Sequence, residues 1–339
     1  MNVKEITLPF EEKPFSVMYH YTAFPLGIVQ ANMEPDKIDR WLCTKYINCS
    51  FEPCSKMNKF NIGRDLWLTD EKILIRHKNI FSKAINDYYK IDVVKIFKDM
   101  INQGSYPQGN YNEEWIPDKF AYQKYRFYHD YLLIGCNDAK QVFYSVGFLQ
   151  DKKFQKFEIP YTNMKKAVET LFNDYIGIDL LEYNARKIAN MSITFDYTIC
   201  ELTDYINSAN RWRAPANNAI FYGLKAILKF CDYVKEEVSK SQIIETKYMR
   251  GVMEHKFFMY KRIKYMLEHG YIESGICLSC AEKVYKLSEK AHLLTIKYLM
   301  TGKSDIVNSI EELLKQTLEI EKNYLPIVVD ELKSSTGGT

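Results

Sequence analysis

No stretch of this chain approaches the roughly eighteen consecutive apolar residues that a membrane-spanning helix needs, so no membrane association is expected. The first residues, MNVKEITLPFEEKPFSV, lack a basic-then-apolar layout and a small-residue cleavage site, so no secretory signal is expected either. There is no excess of basic charge. The 46 Lys and Arg against 43 Asp and Glu leave a net charge of +3, which gives no footprint for nucleic acid. Cysteine is too sparse for the disulfide framework of a small secreted domain: eight scattered thiols in 339 residues fit reduced cysteines and a cytoplasmic protein. The chain has no phosphate-cradling glycine loop, no dinucleotide fingerprint and no Gly-x-Ser-x-Gly elbow, which sets aside the nucleotide-binding and common serine-hydrolase classes. Internal repeats and low-complexity stretches are also missing. What is abundant is aromatic, with 26 Tyr and 19 Phe. A stacking or carbohydrate-binding surface would need such residues, but the accompanying wealth of Lys, Ile and Asn fits a biased genome composition at least as well.

The length suits about two domains, and the pattern of residues changes once. Residues 1–20 read as a strand-like lead-in, because Pro9 and Pro14 oppose a helix. A short buried helix is expected in 21–33, beginning near Pro25, and an amphipathic one over 78–102 from Ile80, Ile91, Val94, Ile96, Phe97 and Ile101. Three consecutive antiparallel strands follow, over 131–136, 141–148 and 154–160, with Asn137-Asp138 as the first turn. Beyond about residue 184 helical periodicity takes over, with stripes from Ile220 to Val238, Met253 to Leu267 and Ile306 to Leu318. The expected class is therefore α+β, with a mixed domain over 1–185 and a helical domain of four to six helices over 186–335.

His129 opens the first of the three strands and is the leading candidate for chemistry, as a general base; the alternative is a surface histidine that begins an ordinary meander. A cysteine nucleophile needs a thiolate within reach of an imidazole. Cys43, Cys49 and Cys54 are the thiols upstream of His129, and Cys49 is the first choice because Asn48 and Ser50 flank it in a polar break; a buried structural thiol is the competing reading for each. Tyr122, Tyr125 and Tyr128, before the strand mouth, are candidates for substrate contacts or for core. An orienting Asn or Asp is not evident. On the next strand, at the place where papain-like enzymes carry the orienting Asn or Asp, this chain has Gly147; Asp130 points to the opposite face, and Asn137 and Asp138 serve the turn. Cys277 and Cys280 form one Cys-x-x-Cys pair without the two further ligands of a zinc site. His255 lacks the second histidine of a metalloprotease helix, and the sequence offers no partner for His20, His77, His269 or His292.

The run YRFYHDYLLIGCNDAKQVFYSVGF, preceded by WIPDKFAYQK, resembles the papain-like domain of the butirosin biosynthesis protein H family. So, in the same order, do WLCTKYINCSF, YGLKAILKF at 222–230 and EHKFFMYKRIKYM at 254–266. The resemblance covers most of the chain. It implies a papain-like fold turned to acyl transfer beside nonribosomal or thiotemplated peptide assembly, as in closthioamide-type amide synthases. An acyl or peptidyl group would pass from the phosphopantetheine thioester of a carrier protein to a small amine, with no cofactor of the enzyme's own. The family's nucleophile starts the first helix, a place assigned here to AFPLGIV, which has no cysteine. That leaves three readings: Cys49 serving in its stead, base chemistry by His129 alone, or a non-catalytic protein that binds a carrier or a peptide.

Overall fold

Three apolar runs separated by polar turns fold as adjacent antiparallel strands, Tyr128–Asn137, Val142–Phe148 and Phe154–Pro160. The computed structural model describes residues 5–55, 59–63, 73–81, 88, 92–171, 178–184, 195–211, 220–239 and 245–336. The chain is α+β, with an antiparallel sheet and a helical C-terminal region. The turn at Asn137 forms as its chemistry requires, since its Oδ1 accepts from the amides of Ala139 and Lys140, each at 3.0 Å. None of the described helices is long and apolar enough to cross a membrane.

The chain divides into two compact units, each built from two separated segments: Met1–Glu34 with Trp67–Met191, and Pro35–Leu66 with Ser192–Thr339. In the first unit the described strands form a seven-stranded sheet. Its order is Leu74–Phe81, Ile178–Tyr183, Tyr106–Asn112, Tyr128–Asn137, Val142–Phe148 and Phe154–Pro160, and the short strand Glu5–Thr7 also pairs with Tyr128–Asn137. Helix Val93–Asn102 covers this sheet through Phe97, whose ring lies 6.0 Å from that of Tyr111 and 5.9 Å from that of Phe143. It is capped by Asp92, which accepts from the amides of Val94 and Lys95. The helix expected over 78–102 is thus shorter: Ile80 belongs to a strand, and Ile91 lies outside the described residues.

The first helix, His20–Asn32, begins five residues before Pro25, which sits inside it. Every residue from Thr22 to Val29 is buried, so the helix shows no polar face from which its start could be read. Gly27 allows Phe10 to pack against the helix backbone, since a Cβ there would come within 2.2 Å of the ring.

The second unit contains helices Pro35–Leu42, Phe195–Ile206, Gly223–Ser239, Thr246–Glu268, Gly275–Thr301 and Asp305–Thr336. A three-stranded sheet joins Phe221–Tyr222, Cys49–Phe51 and Phe60–Ile62. A single division at 185 does not describe this arrangement, because 35–66 groups with the helices. The reason is hydrogen bonding. Fully buried Arg262 donates to the carbonyls of Cys43 and Leu42 at 3.2 and 3.1 Å, Thr198 donates to Cys43 at 3.0 Å, and His255 Nε2 lies 2.8 Å from the carbonyl of Ile47. Helix side chains thereby satisfy the backbone of an irregular segment that would otherwise be costly to bury. The stripe expected from Met253 to Leu267 is correspondingly half-buried in part, and the charged residues Glu254, Lys256 and Arg262 lie deeper than Phe257 and Tyr260. Of the stripe that starts at Ile220, Leu224, Ile227, Cys231 and Val234 are buried, Ile220 precedes the helix, and Leu228 is exposed.

Candidate functional site

His129 is the second residue of its strand, and the neighbouring strand sets its surroundings. Tyr111 pairs with His129 and Asn112 with Tyr128, so the chain leaving Asn112 turns directly beside the imidazole. Fully buried Asn112 caps the single 3-10 turn Glu113–Trp115, with its Oδ1 accepting from the amides of Glu114 and Phe127. Glu113 is tied in as well, its amide donating to the carbonyl of Phe127 at 2.7 Å. These bonds place its Oε1 3.3 Å from Nδ1 of His129 and 2.6 Å from the hydroxyl of Tyr131, which donates to it. Burial opposes ionisation of Glu113, but the hydrogen bonds from His129 and Tyr131 and the charge of Lys119 outweigh it, and its pKa lies below the ordinary carboxylate value. The His129 side chain is 41% exposed, while that of Glu113 is 7% exposed. An ionised, nearly buried carboxylate thus fixes one nitrogen of a solvent-facing imidazole, the arrangement that orients a general base.

Two further groups close the site. Lys119 is nearly fully buried and donates to the carbonyl of Phe148, with its ammonium 4.6 Å from the centre of the Tyr131 ring and 4.7 Å from that of Phe157. Burial brings its pKa down to about 8, against the pull of Glu113. His20, first residue of the helix His20–Asn32, is buried between Phe24 and Phe148, with ring centres 4.8 and 5.5 Å away, and its ring lies 4.7 Å from that of His129. Its Nε2 has no hydrogen-bond partner. Burial, then the neighbouring His129 and Lys119, hold its pKa well below the usual imidazole value, so this ring is neutral.

The sequence candidates fare differently. Asp130 makes no hydrogen bond to the His129 ring, and burial raises its pKa. Gly147 supplies no orienting group; Glu113 does so from a different element. Of the three tyrosines, Tyr128 is turned away, donating to the carbonyl of Thr170 at 3.3 Å, and half-buried Tyr122 accepts from Gln123 Nε2 at 3.2 Å. Only Tyr125 joins the site. With Phe120 and Phe127 it forms a row of exposed rings, each 6.4 or 6.5 Å from the next, and Phe127 lies 5.6 Å from the His129 ring. The alternate spacing of Tyr125, Phe127, His129 and Tyr131 was a readable signal that these rings share a side. Nothing local announced Glu113, Lys119 or His20.

Cys49 belongs to the helical unit and His129 to the sheet unit. The polar break that pointed to Cys49 is fully used. Asn48 bonds to the carbonyl of Ala209 and the amides of Cys49 and Gly223, and the buried Cys49 thiol donates to the carbonyl of Gly223 at 3.6 Å. Burial pushes its pKa up to about 12, which leaves about a thousandfold less thiolate at neutral pH than an ordinary cysteine has. This is the setting of a structural thiol. Alkylation of the folded protein is therefore expected to modify exposed Cys54 first and Cys49 only on unfolding; peptide mass mapping over a time course checks this, and early labelling of Cys49 would contradict it. The one cysteine of the sheet unit is Cys136, buried and seven residues further along the strand, a rise of about 23 Å from His129. Cys277 is buried with its thiol towards the carbonyl of Tyr324, Cys280 is half-buried, and no metal-holding group of three or more His, Cys, Asp or Glu occurs among the described residues. No protein-family model matches this chain, and neither does any curated protein.

Proposed function

We propose that the chain is an acyltransferase that forms amides without an enzyme-bound acyl intermediate, moving an acyl or peptidyl group from a carrier-protein thioester to a small amine. The observation that carries this reading is the 3.3 Å pairing of His129 Nδ1 with buried, ionised Glu113, which leaves the other imidazole nitrogen to take a proton. The amine nitrogen attacks the thioester carbonyl, the C–S bond breaks, and the proton lost by the amine passes through His129 to the departing thiolate. Thioesters already react with amines, so holding the two together and removing one proton supplies the needed acceleration. The resemblance to papain-like acyl-transfer proteins of thiotemplated antibiotic assembly supports the choice of a phosphopantetheine thioester as donor.

A second reading is a non-catalytic protein that binds a carrier protein or a peptide. It is favoured by the one cysteine of the sheet unit, Cys136, which is buried and distant from His129.

Intact-mass spectrometry and product analysis separate the two readings. The protein is incubated with acylated carrier protein, or a short acyl thioester, with and without an amine. Amide formed without any protein adduct, unaffected by Cys49→Ala and lost in His129→Ala, is the expected result. An adduct that disappears in Cys49→Ala would restore the covalent route, and no product with several carriers would leave the binding protein.

A further inference from the structure

The C-terminal part of helix Gly275–Thr301 bares aliphatic side chains. Its buried residues Ala281, Val284, Ser288, Ala291 and Thr295 mark the face packed on helices Thr246–Glu268 and Asp305–Thr336. Outside that face Leu293, Ile296 and Met300 fall at i, i+3 and i+7 and are 59%, 38% and 81% exposed; Leu299, 40% exposed, stands beside them at the helix end. Exposed Lys286, Lys290 and Lys297 line the flank of this strip at turn spacing, and Lys303 follows the left-handed Gly302 that ends the helix. From Lys290 to Lys303 the sequence KAHLLTIKYLMTGK holds three lysines and no carboxylate. Lys286 is paired with Glu282 at 2.6 Å, whereas Lys290, Lys297 and Lys303 have no ion-pair partner among the described residues. A single exposed aliphatic is ordinary, but a contiguous strip of them rimmed by charge of one sign marks a docking surface. Attraction to the helix C-terminus accounts for cations in the last turn, not for the leucine and methionine bared beside them.

We propose that this face lies on an anionic lipid bilayer. Leu293, Ile296, Leu299 and Met300 enter the edge of the acyl layer, and Lys290, Lys297 and Lys303 meet the headgroup charges. Such a helix rests in the plane of the surface, so the want of a membrane-spanning helix does not bear on it. Composition selects lipid over an acidic protein. Protein interfaces favour aromatic residues and arginine and are poor in lysine, because rigid side chains are fixed against a rigid partner at little entropic cost. This strip offers aliphatic chains and lysines instead. A fluid bilayer accepts flexible aliphatic chains without a matching shape, and lysine stems reach across apolar surface to hold their ammonium groups at the headgroups. The surface lies on the helical unit and is independent of the acyl-transfer reading.

Flotation of the full chain with lipid vesicles tests this. The protein is expected to float with vesicles of phosphatidylcholine and phosphatidylglycerol in equal parts, to stay behind with phosphatidylcholine alone, and to be released as salt rises. Replacing three lysines together, as Lys290→Gln, Lys297→Gln and Lys303→Gln, is expected to weaken binding about a hundredfold, since each lysine at an anionic surface contributes about fivefold. Leu293→Gln with Met300→Gln is expected to weaken it about tenfold or more and to leave thermal unfolding unchanged, because both side chains are exposed. Unchanged affinity in either variant, or equal flotation with neutral vesicles, would overturn the proposal. So would the absence of flotation with anionic vesicles at low salt, a result that would leave an acidic protein as the occupant.

Discussion

Glu113→Gln is expected to lower the rate of acyl transfer by about two to four orders of magnitude, with little change in KM for the thioester. The carboxylate accepts from both His129 and Tyr131, and it sits in a nearly buried position where a charge acts strongly. Glutamine fills the same space but brings an amide that can donate to Nδ1, so the neutral ring can settle with its proton on the wrong nitrogen. The His129 tautomer, followed by NMR, is expected to change in parallel with the rate. A variant with wild-type activity would show that His129 works without its carboxylate, and the site would lose its rationale. The acid side of the stability curve supplies an independent check. Because the folded-state pKa of Glu113 is depressed, its contribution to stability is fully present above the ordinary glutamate value and is lost as pH falls through the folded value. Glu113→Gln is expected to lack that part of the acid-induced loss.

In the helical unit, Lys256→Met is expected to cost roughly 3–5 kcal/mol of stability, read from the shift of the urea unfolding curve. Lys256 and Glu321 are both wholly buried, with Nζ 2.9 and 2.8 Å from the two carboxylate oxygens. The Tyr205 hydroxyl completes the group, accepting from Lys256 at 2.6 Å and donating to Glu321 at 2.9 Å. Removing the ammonium alone strands an ionised carboxylate and a phenol in a dry interior. Removing all three polar groups, as Lys256→Met with Glu321→Leu and Tyr205→Phe, is expected to recover most of the loss, because no unpaired charge remains. A single variant that unfolds with the wild type would mean that water reaches the pair.

Local pattern in the sequence determined the three strands from 128 to 160, the turn at Asn137, the helical character beyond 195 and the exposed alternation of Tyr125, Phe127 and His129. Each of these depends on residues within a few positions of one another, where periodicity and turn chemistry act. Tertiary structure decided the rest. Glu113 reaches His129 because antiparallel pairing sets Asn112 against Tyr128, a register no local window contains. His20 reaches it because a helix buried on all sides hides its own starting point. Segment 35–66 joins the helices because Arg262, Thr198 and His255 capture its carbonyls, and Lys256 is buried because Glu321, sixty-five residues away, neutralises it. Apolar residues declare their burial by pattern; a polar residue is costly to bury without a partner, and among the described residues Glu113, Lys256 and Arg262 find theirs far away in sequence.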